Sequence, residues 1–228
     1  LHVIDVCREV IEHPKSLPEP IKRHLDLTSG RDRGRIYRIV AVDSKAETRP
    51  PMRLDSAATA ELVSLLEHPN AWHRETASRL LFERQDRNMI AEVRRLAADS
   101  PRPQGRLHAI YALDGIDALD AETLLARLND EHPQVRRHAV RLSERILTSG
   151  AELNRKLAEL VEDPSIEVRY QLAFSLGSIE HPDRIELLTR LVRRDVQSPW
   201  VRLAVQSSLA EGAADVFASL ASDPRFRS

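Results

Sequence analysis

Nine histidines are spread along the 228 residues of this sequence, and they are the residues that most readily suggest metal chemistry. His68 and His73 lie five positions apart and are separated by Pro69. A helical zinc site instead needs two histidines four positions apart on one face, with a glutamate between them. Histidine also recurs directly before proline, which is typical of turns, at positions 13–14, 68–69, 132–133 and 181–182. The sequence therefore predicts no metal-binding residues.

Residues for nucleophilic or phosphate chemistry are present, but their spacing does not match a known site. Serine, histidine and aspartate occur without a triad-like arrangement, and there is neither a Gly-x-Ser-x-Gly elbow nor a glycine-rich phosphate loop. Cys7 is the single cysteine, which excludes an internal disulfide and a cysteine-rich zinc or iron–sulfur site. We predict no catalytic and no cofactor-binding residue in this chain.

Five arginines recur at nearly constant spacing, each three residues before a small or apolar position. They follow one another at intervals of 32, 30, 33 and 33 residues: Arg74, Arg106, Arg136, Arg169 and Arg202. Such self-similarity indicates stacked supersecondary units. We expect these arginines to be structural, each meeting an acidic residue or a helix end in the neighbouring unit, with Asp163 before Arg169 and Glu131 before Arg136 as available partners. A ligand-binding role is the alternative.

A basic stripe follows one of these arginines, at Arg136, Arg137, Arg141 and Arg145 beside His138. A stripe of this kind could meet the phosphates of DNA. Acidic residues lie nearby, however, and 34 Lys and Arg against 35 Asp and Glu leave a net charge of −1. We therefore favour a solvated face and predict no nucleic-acid partner.

Two short segments carry candidate interface residues. Trp72, His73 and Arg74 open a predicted helix, and tryptophan and arginine are favoured at contact centres. The alternative is that Trp72 packs between units while His73 faces solvent. Arg8 and Glu9 lie at the end of a predicted strand, and they are further candidates for an interface.

These residues need helical elements to position them, because apolar residues recur with a helical period from residue 55 onward. Each unit has a first helix with Leu or Val at i, i+3, i+4 spacing, a break containing proline, and a second helix that includes the repeated arginine. The predicted second helices are 72–84, 104–113, 134–147, 166–179 and 200–211. A sixth first helix, 213–222, lacks a partner, so we expect about five and a half units over residues 55–228, the last of them truncated.

Residues 1–43 differ in pattern, with β-like runs at 2–6 and 35–42. A sheet of only two strands is marginally stable in water, so we expect this segment to require further β structure. Residues 44–54, with Pro50-Pro51, are predicted to be a linker. The fold class is therefore all-α, an α-α superhelix with a short N-terminal β-hairpin remnant. No apolar run reaches the ~18 residues of a membrane span.

The units Val135-Arg136-Arg137-His138-Ala139 and Val168-Arg169-Tyr170-Gln171-Leu172, each after a proline turn, resemble HEAT repeats. This resemblance covers about residues 55–228 and implies a binding scaffold rather than an enzyme.

A narrower resemblance involves residues 1–14 and 24–39, together with Glu67–Gln85. These segments are similar to the last propeller blade and the first HEAT unit of planctomycete-type membrane-bound dehydrogenases. In that family a propeller and HEAT repeats precede a c-type cytochrome segment, so the resemblance implies a fragment of a periplasmic or secreted parent with haem c. No Cys-x-x-Cys-His motif occurs here, so no haem-binding role is assigned to any residue of this chain.

The sequence thus favours a non-catalytic scaffold or protein-interaction domain, whose partner is another domain of the parent chain or another protein. Whether the parent is an enzyme follows only from the resemblance. The alternatives are a stand-alone protein-binding module, which an exposed apolar or Trp-containing patch along the second-helix face would favour, and, less favoured, a HEAT-like enzyme that binds DNA.

Overall fold

The computed structural model describes residues 2–8, 10, 13–39, 53–146 and 150–226. The chain divides into two compact units, Leu1–Met52 and Arg53–Ser228. Among the described residues, no helix is long and apolar enough to cross a membrane. The predicted boundaries at residues 43 and 55 stay predictions, and Leu54, the last residue of the predicted linker, is buried in the core of the second unit.

The N-terminal unit contains a two-stranded antiparallel sheet. Strand β1 is His2–Asp5 and strand β2 is Arg35–Arg38, with Ile4 opposite Ile36 in the register. A 3-10 turn at Pro14–Ser16 and a short helix α1, Glu19–Lys22, lie between the strands. The predicted β element is confirmed, although its second strand ends at Arg38 and residues 40–42 lie outside the described part of the chain.

Gly30 is required by the path of the chain in this unit. Its φ is +76°, a conformation that side chains with a Cβ rarely adopt. A Cβ at this position would also lie only 1.6 Å from the Cys7 carbonyl oxygen.

The second unit consists of helices that alternate between two layers. The first helices are α2 (Thr59–Leu65), α4 (Ile90–Asp99), α6 (Ala121–Leu128), α8 (Ala151–Glu159), α10 (Arg184–Arg194) and α12 (Ala213–Ala221). The second helices are α3 (Ala71–Arg84), α5 (Pro103–Gly115), α7 (Pro133–Ser143), α9 (Ile166–Ser178) and α11 (Pro199–Ser207).

Helix starts in this unit follow from capping residues and proline. The Asn70 side chain accepts a hydrogen bond from the Trp72 N–H at 3.0 Å, and Asp120 caps α6 through the Thr123 N–H. Helices α5, α7 and α11 have proline in the first turn, where the missing N–H costs no intrahelical bond. In these three units a proline therefore also begins the second helix.

The core is the row of leucine and valine side chains between the two layers. Second helices pack side by side along the chain, α3 on α5, α5 on α7, α7 on α9 and α9 on α11. Fully buried leucines include Leu62, Leu66, Leu81, Leu124, Leu128, Leu153, Leu157, Leu172 and Leu176. Apolar burial contributes about 25 cal/mol per Å², and each unit buries its stripe against its neighbours. The predicted all-α repeat fold is confirmed.

Two predicted second helices are too long. Helix α11 ends at Ser207 rather than at 211: the N–H groups of Ser208 and Leu209 form i→i−3 bonds, and the Ser208 hydroxyl donates to the Ala173 carbonyl of α9 at 2.7 Å. Helix α7 ends at Ser143 with i→i−3 bonds over the following residues, and predicted residue 147 lies outside the described chain.

Candidate functional site

The five repeated arginines share one local geometry. Each Nη1 donates a hydrogen bond to the carbonyl oxygen six residues earlier, just after the preceding first helix, and the acceptors belong to His68, Ser100, Asp130, Asp163 and Val196. Carbonyls at the end of a helix lack an intrahelical partner. The arginine therefore closes the break between the two helices of its own unit.

Three of these arginines also reach the next unit. Arg106 donates two hydrogen bonds to Asp130, both at 2.7 Å. Arg136 binds Asp163 at 2.7 and 2.9 Å, and Arg169 binds Asp195 at 2.7 and 2.6 Å. These bidentate ion pairs fix both the distance and the orientation between neighbouring helix pairs.

Burial makes these pairs sensitive to loss of either partner. The side chains of Arg106 and Asp130 are only 6% and 2% exposed. Burial by itself raises the pKa of Asp130, but hydrogen bonds from Arg106 and from the His132 N–H, together with the arginine charges, hold that pKa below its ordinary value. Asp130 is therefore a carboxylate, and the buried guanidinium has its counter-charge.

The suggested partners of the arginines need correction. Arg169 meets Asp163 through the main-chain carbonyl, and Arg136 likewise contacts the Glu131 carbonyl at 3.0 Å. The carboxylates that pair with these arginines come from the following unit, because each guanidinium extends across the break toward the next turn.

The first arginine, Arg74, has no ion pair with a described residue. Ser100 occupies the position of the aspartates in later units, and its hydroxyl donates to Glu67 at 2.6 Å. The Nε of Arg74 is buried without a hydrogen-bond partner. Arg202, the last of the series, also forms no ion pair within the described chain, so the paired contacts join only the middle units.

The candidate interface residues do not form one cluster. Trp72 is 58% exposed, and its ring meets the edge of His73 at 5.1 Å. His73 in turn lies against His68 at 4.3 Å, and its pKa is lowered by burial and by the charge of His68. Arg74 is directed to main-chain carbonyls, so Trp72 is the residue of this segment that faces solvent.

The N-terminal candidates lie in the other unit. Arg8 is exposed and donates to the Leu27 carbonyl at 2.7 Å, whereas Glu9 lies outside the described residues. Their proposed interface role stays a prediction. Within the described residues, no three His, Cys, Asp or Glu side chains are placed to hold a metal ion together.

The basic stripe separates into paired and unpaired members. Arg136 is bound to Asp163, and Arg145 lies 2.9 Å from Asp114. Arg137 and Arg141 form no ion pair with a described carboxylate, and Arg141 is exposed. Only half of the predicted stripe therefore offers an uncompensated charge.

Polar contacts that the sequence did not predict join the second helices across the same face. The Ser78 hydroxyl lies 3.0 Å from His108 Nδ1, and the Tyr111 hydroxyl lies 2.8 Å from His138 Nδ1. Burial lowers the pKa of both histidines, and the charges of neighbouring arginines lower it further. These imidazoles therefore favour the neutral form.

An apolar strip lies on α9 and α11, at residues that the sequence did not identify as exposed. It consists of Ile166, Tyr170, Phe174, Trp200 and Leu203, and we call it the α9–α11 strip. Trp200 is 67% exposed, Leu203 55% and Ile166 44%, although these two helices otherwise bury their apolar residues. The i, i+4, i+8 spacing of its α9 members was the available signal.

A cleft of about 360 Å³ opens at one end of this strip. Its walls include Ile166, Tyr170 and Trp200, together with Arg137 and Glu167. Apolar walls with a few polar groups can receive one large side chain.

Comparisons with known proteins agree with the two-part division of the chain. A family model described as HEAT repeats matches residues 59–143 and 121–210. A second model, described as Domain of unknown function (DUF7133), matches residues 1–43. A search of curated proteins found no match.

Proposed function

The chain belongs to the HEAT-repeat family, and on this premise we propose that it is a non-catalytic scaffold whose second helices hold another protein or another domain. HEAT repeats typically mediate protein interactions through extended surfaces made by stacked helices. The observation that carries the proposal is the α9–α11 strip, where large apolar side chains are exposed on a helical stack. Exposed apolar groups of this kind, bordered by polar residues, mark interaction sites.

The stack beneath this strip supports the proposal because it is held rigidly. Arg136 and Arg169 tie the turns before α7 and α9 to the next units by two-point ion pairs. A surface that is already ordered loses little conformational entropy when a partner binds. A scaffold requires this property.

Site-specific photo-crosslinking in the source cells tests the scaffold. A benzophenone amino acid replaces Leu203 on α11 or, as the matched control, Glu152, which is exposed on first helix α8. We expect discrete protein adducts from position 203 and few from position 152. Equal adducts from the two positions, or none from position 203, would contradict a partner on the second-helix face.

We further propose that both units belong to a longer oxidoreductase of the propeller–HEAT–cytochrome c type, located in the periplasm or secreted. The resemblance described above supports this. The β1–β2 sheet also exposes apolar groups on both faces, since Ile4 and Ile36 lie on one face and Val3 and Tyr37 on the other. Such a sheet gains stability from further strands.

Haem c does not fit the residues of this chain, because Cys7 is the single cysteine and no Cys-x-x-Cys-His occurs. The haem would therefore bind elsewhere in the parent protein. Sequencing the flanking DNA tests this proposal. We expect propeller strands encoded upstream and the haem motif downstream, whereas their joint absence would favour the stand-alone protein-binding module.

A further inference from the structure

The α9–α11 strip has a regular shape. Ile166, Tyr170 and Phe174 follow one another at four-residue spacing on one face of α9, and with a rise of 1.5 Å per residue they extend about 12 Å. Trp200 and Leu203 continue the apolar surface on neighbouring α11. This length matches two turns of a bound helix or a few residues of an extended segment.

A row of positive charge borders the strip on the side of α9 that faces α7, away from α11. Arg137 and Arg141 lie on α7, which packs against α9, and each is 33 residues before its counterpart, Tyr170 or Phe174. The repeat thus places the two arginines in the row next to the two aromatic rings. Arg137 also lines the cleft together with Tyr170 and Trp200.

These two arginines differ from Arg136 and Arg145 of the basic stripe, because neither forms an ion pair with a described carboxylate. Arg137 donates one bond, at 3.3 Å, to the neutral Gln134 side chain, and its Nε is buried without a partner. Arg141 is exposed and has no ion pair with a described residue. Both guanidinium groups therefore retain donors for a carboxylate.

Two carboxylates share this face and are already engaged by neutral groups. Glu144 accepts a hydrogen bond from the Ser175 hydroxyl at 2.5 Å, and Glu167 accepts one from the Gln134 side chain. Neither forms an ion pair with Arg137 or Arg141. Each of these carboxylates therefore has a neutral donor, whereas the guanidinium groups of Arg137 and Arg141 have no carboxylate partner among the described residues.

We propose that the α9–α11 strip, its cleft and the adjoining Arg137 and Arg141 together form a groove that binds an acidic amphipathic segment of a partner protein. One large apolar side chain of that segment enters the cleft beside Tyr170 and Trp200, and its Asp or Glu residues pair with Arg137 and Arg141. The inference rests on the proposed scaffold function and specifies the chemistry of the partner. The cleft combines tryptophan and arginine, the residue types that dominate binding energy in protein interfaces.

Selection from a phage-displayed library of random 15-residue peptides on the immobilised whole chain tests this chemistry. We expect enriched peptides to combine Leu or aromatic residues with an excess of Asp and Glu. The affinities of the synthetic peptides are then measured by fluorescence anisotropy for wild type, Trp200→Ser and Arg141→Glu. Each substitution should weaken binding at least tenfold, and high salt should weaken it further.

Trp72→Ser is the matched control, because Trp72 is the other tryptophan and is 58% exposed on α3. Its substitution should leave the affinity unchanged, and circular dichroism melting should show all three variants folded. Peptides with an excess of Lys and Arg, peptides that lose affinity only in Trp72→Ser, or no enrichment would overturn the proposal. Crosslinks from position 203 that persist in these cases would leave the scaffold function standing, which separates the two failures.

Discussion

At the scale of single residues, Arg106, Arg136 and Arg169 each serve two helix pairs at once. One nitrogen closes the break within the arginine's own unit, and two others bind an aspartate of the next. Lysine could not do this, because its single ammonium lacks the planar fork that binds a carboxylate at two points. The requirement explains why arginine, and no other cation, recurs at these positions.

Asp130→Asn should destabilise the protein by about 3 kcal/mol or more, because removing one partner of a buried pair leaves the other charge uncompensated. Arg106 loses its main counter-charge, and Arg127, 3.3 Å from Asp130, loses a second contact. Denaturant unfolding measures the change. Glu131→Gln is the control, since Glu131 also approaches Arg106 but is 83% exposed, and it should cost at most about 1 kcal/mol. Equal losses would contradict the structural role of the buried pair.

His138 should make the stability of the protein depend on pH. Burial, together with the charges of Arg137 and Arg141, lowers its pKa below the ordinary histidine value of 6.5. The stability contributed by its neutral form is therefore present above pH 6.5 and is lost as the pH falls through the folded-state pKa. We expect the free energy of unfolding to decrease below pH 6.5, and His138→Gln to flatten that decrease. An unchanged slope in the variant would be inconsistent with this assignment.

At the scale of elements, each helix pair is incomplete without its neighbours. Leu157 of α8 is fully buried, and α8 packs against α6 of the preceding unit. Apolar stripes in such arrays are shared between units, so their stability depends on nearest-neighbour interfaces. A destabilising substitution in one helix should therefore also destabilise the neighbouring units.

Leu157→Asp should unfold more than one unit, because it places an unpaired carboxylate in a core that neighbouring units share. Hydrogen exchange should show protection lost in α6, α8 and α9 together. Glu152→Ala, at an exposed position of the same helix, should leave protection unchanged. Protection lost only within α8 would count against a shared core.

At the scale of the whole molecule, the charge of the protein does not favour the binding of nucleic acid. The net charge is −1, and Arg136 and Arg145 of the basic stripe are engaged by Asp163 and Asp114. Phosphate binding by a protein depends on uncompensated Lys and Arg and weakens strongly with salt. The remaining positive groups lie beside apolar rings, a combination that suits a peptide better than a duplex.

A titration with duplex DNA at 50 and 200 mM salt, conditions that change electrostatic affinity greatly, checks this expectation. We expect no salt-dependent binding for the wild-type chain. An affinity that falls steeply with salt and disappears in Arg137→Glu would instead support the alternative of a DNA-binding protein.

The sequence by itself determined the repeated helix pairs, their approximate bounds and the positions of the five arginines. These depend on local causes, namely the 3.6-residue apolar period, the prolines at helix starts and the capping residues. The early end of α11 at Ser207 was not predicted in this way; it coincides with a contact between the Ser208 hydroxyl and the Ala173 carbonyl of α9, 35 residues earlier in the chain.

Only the tertiary structure decided which carboxylate meets each arginine and which apolar stripe remains uncovered. The paired residues are 24 to 27 positions apart, and several acids lie within that distance. Likewise, the helical period places Ile166, Tyr170 and Phe174 on one face but does not show whether a neighbour covers them. Helices α7 and α11 pack on either side of α9 and leave that face open. It is bordered by arginines on the α7 side and by Trp200 and Leu203 on the α11 side.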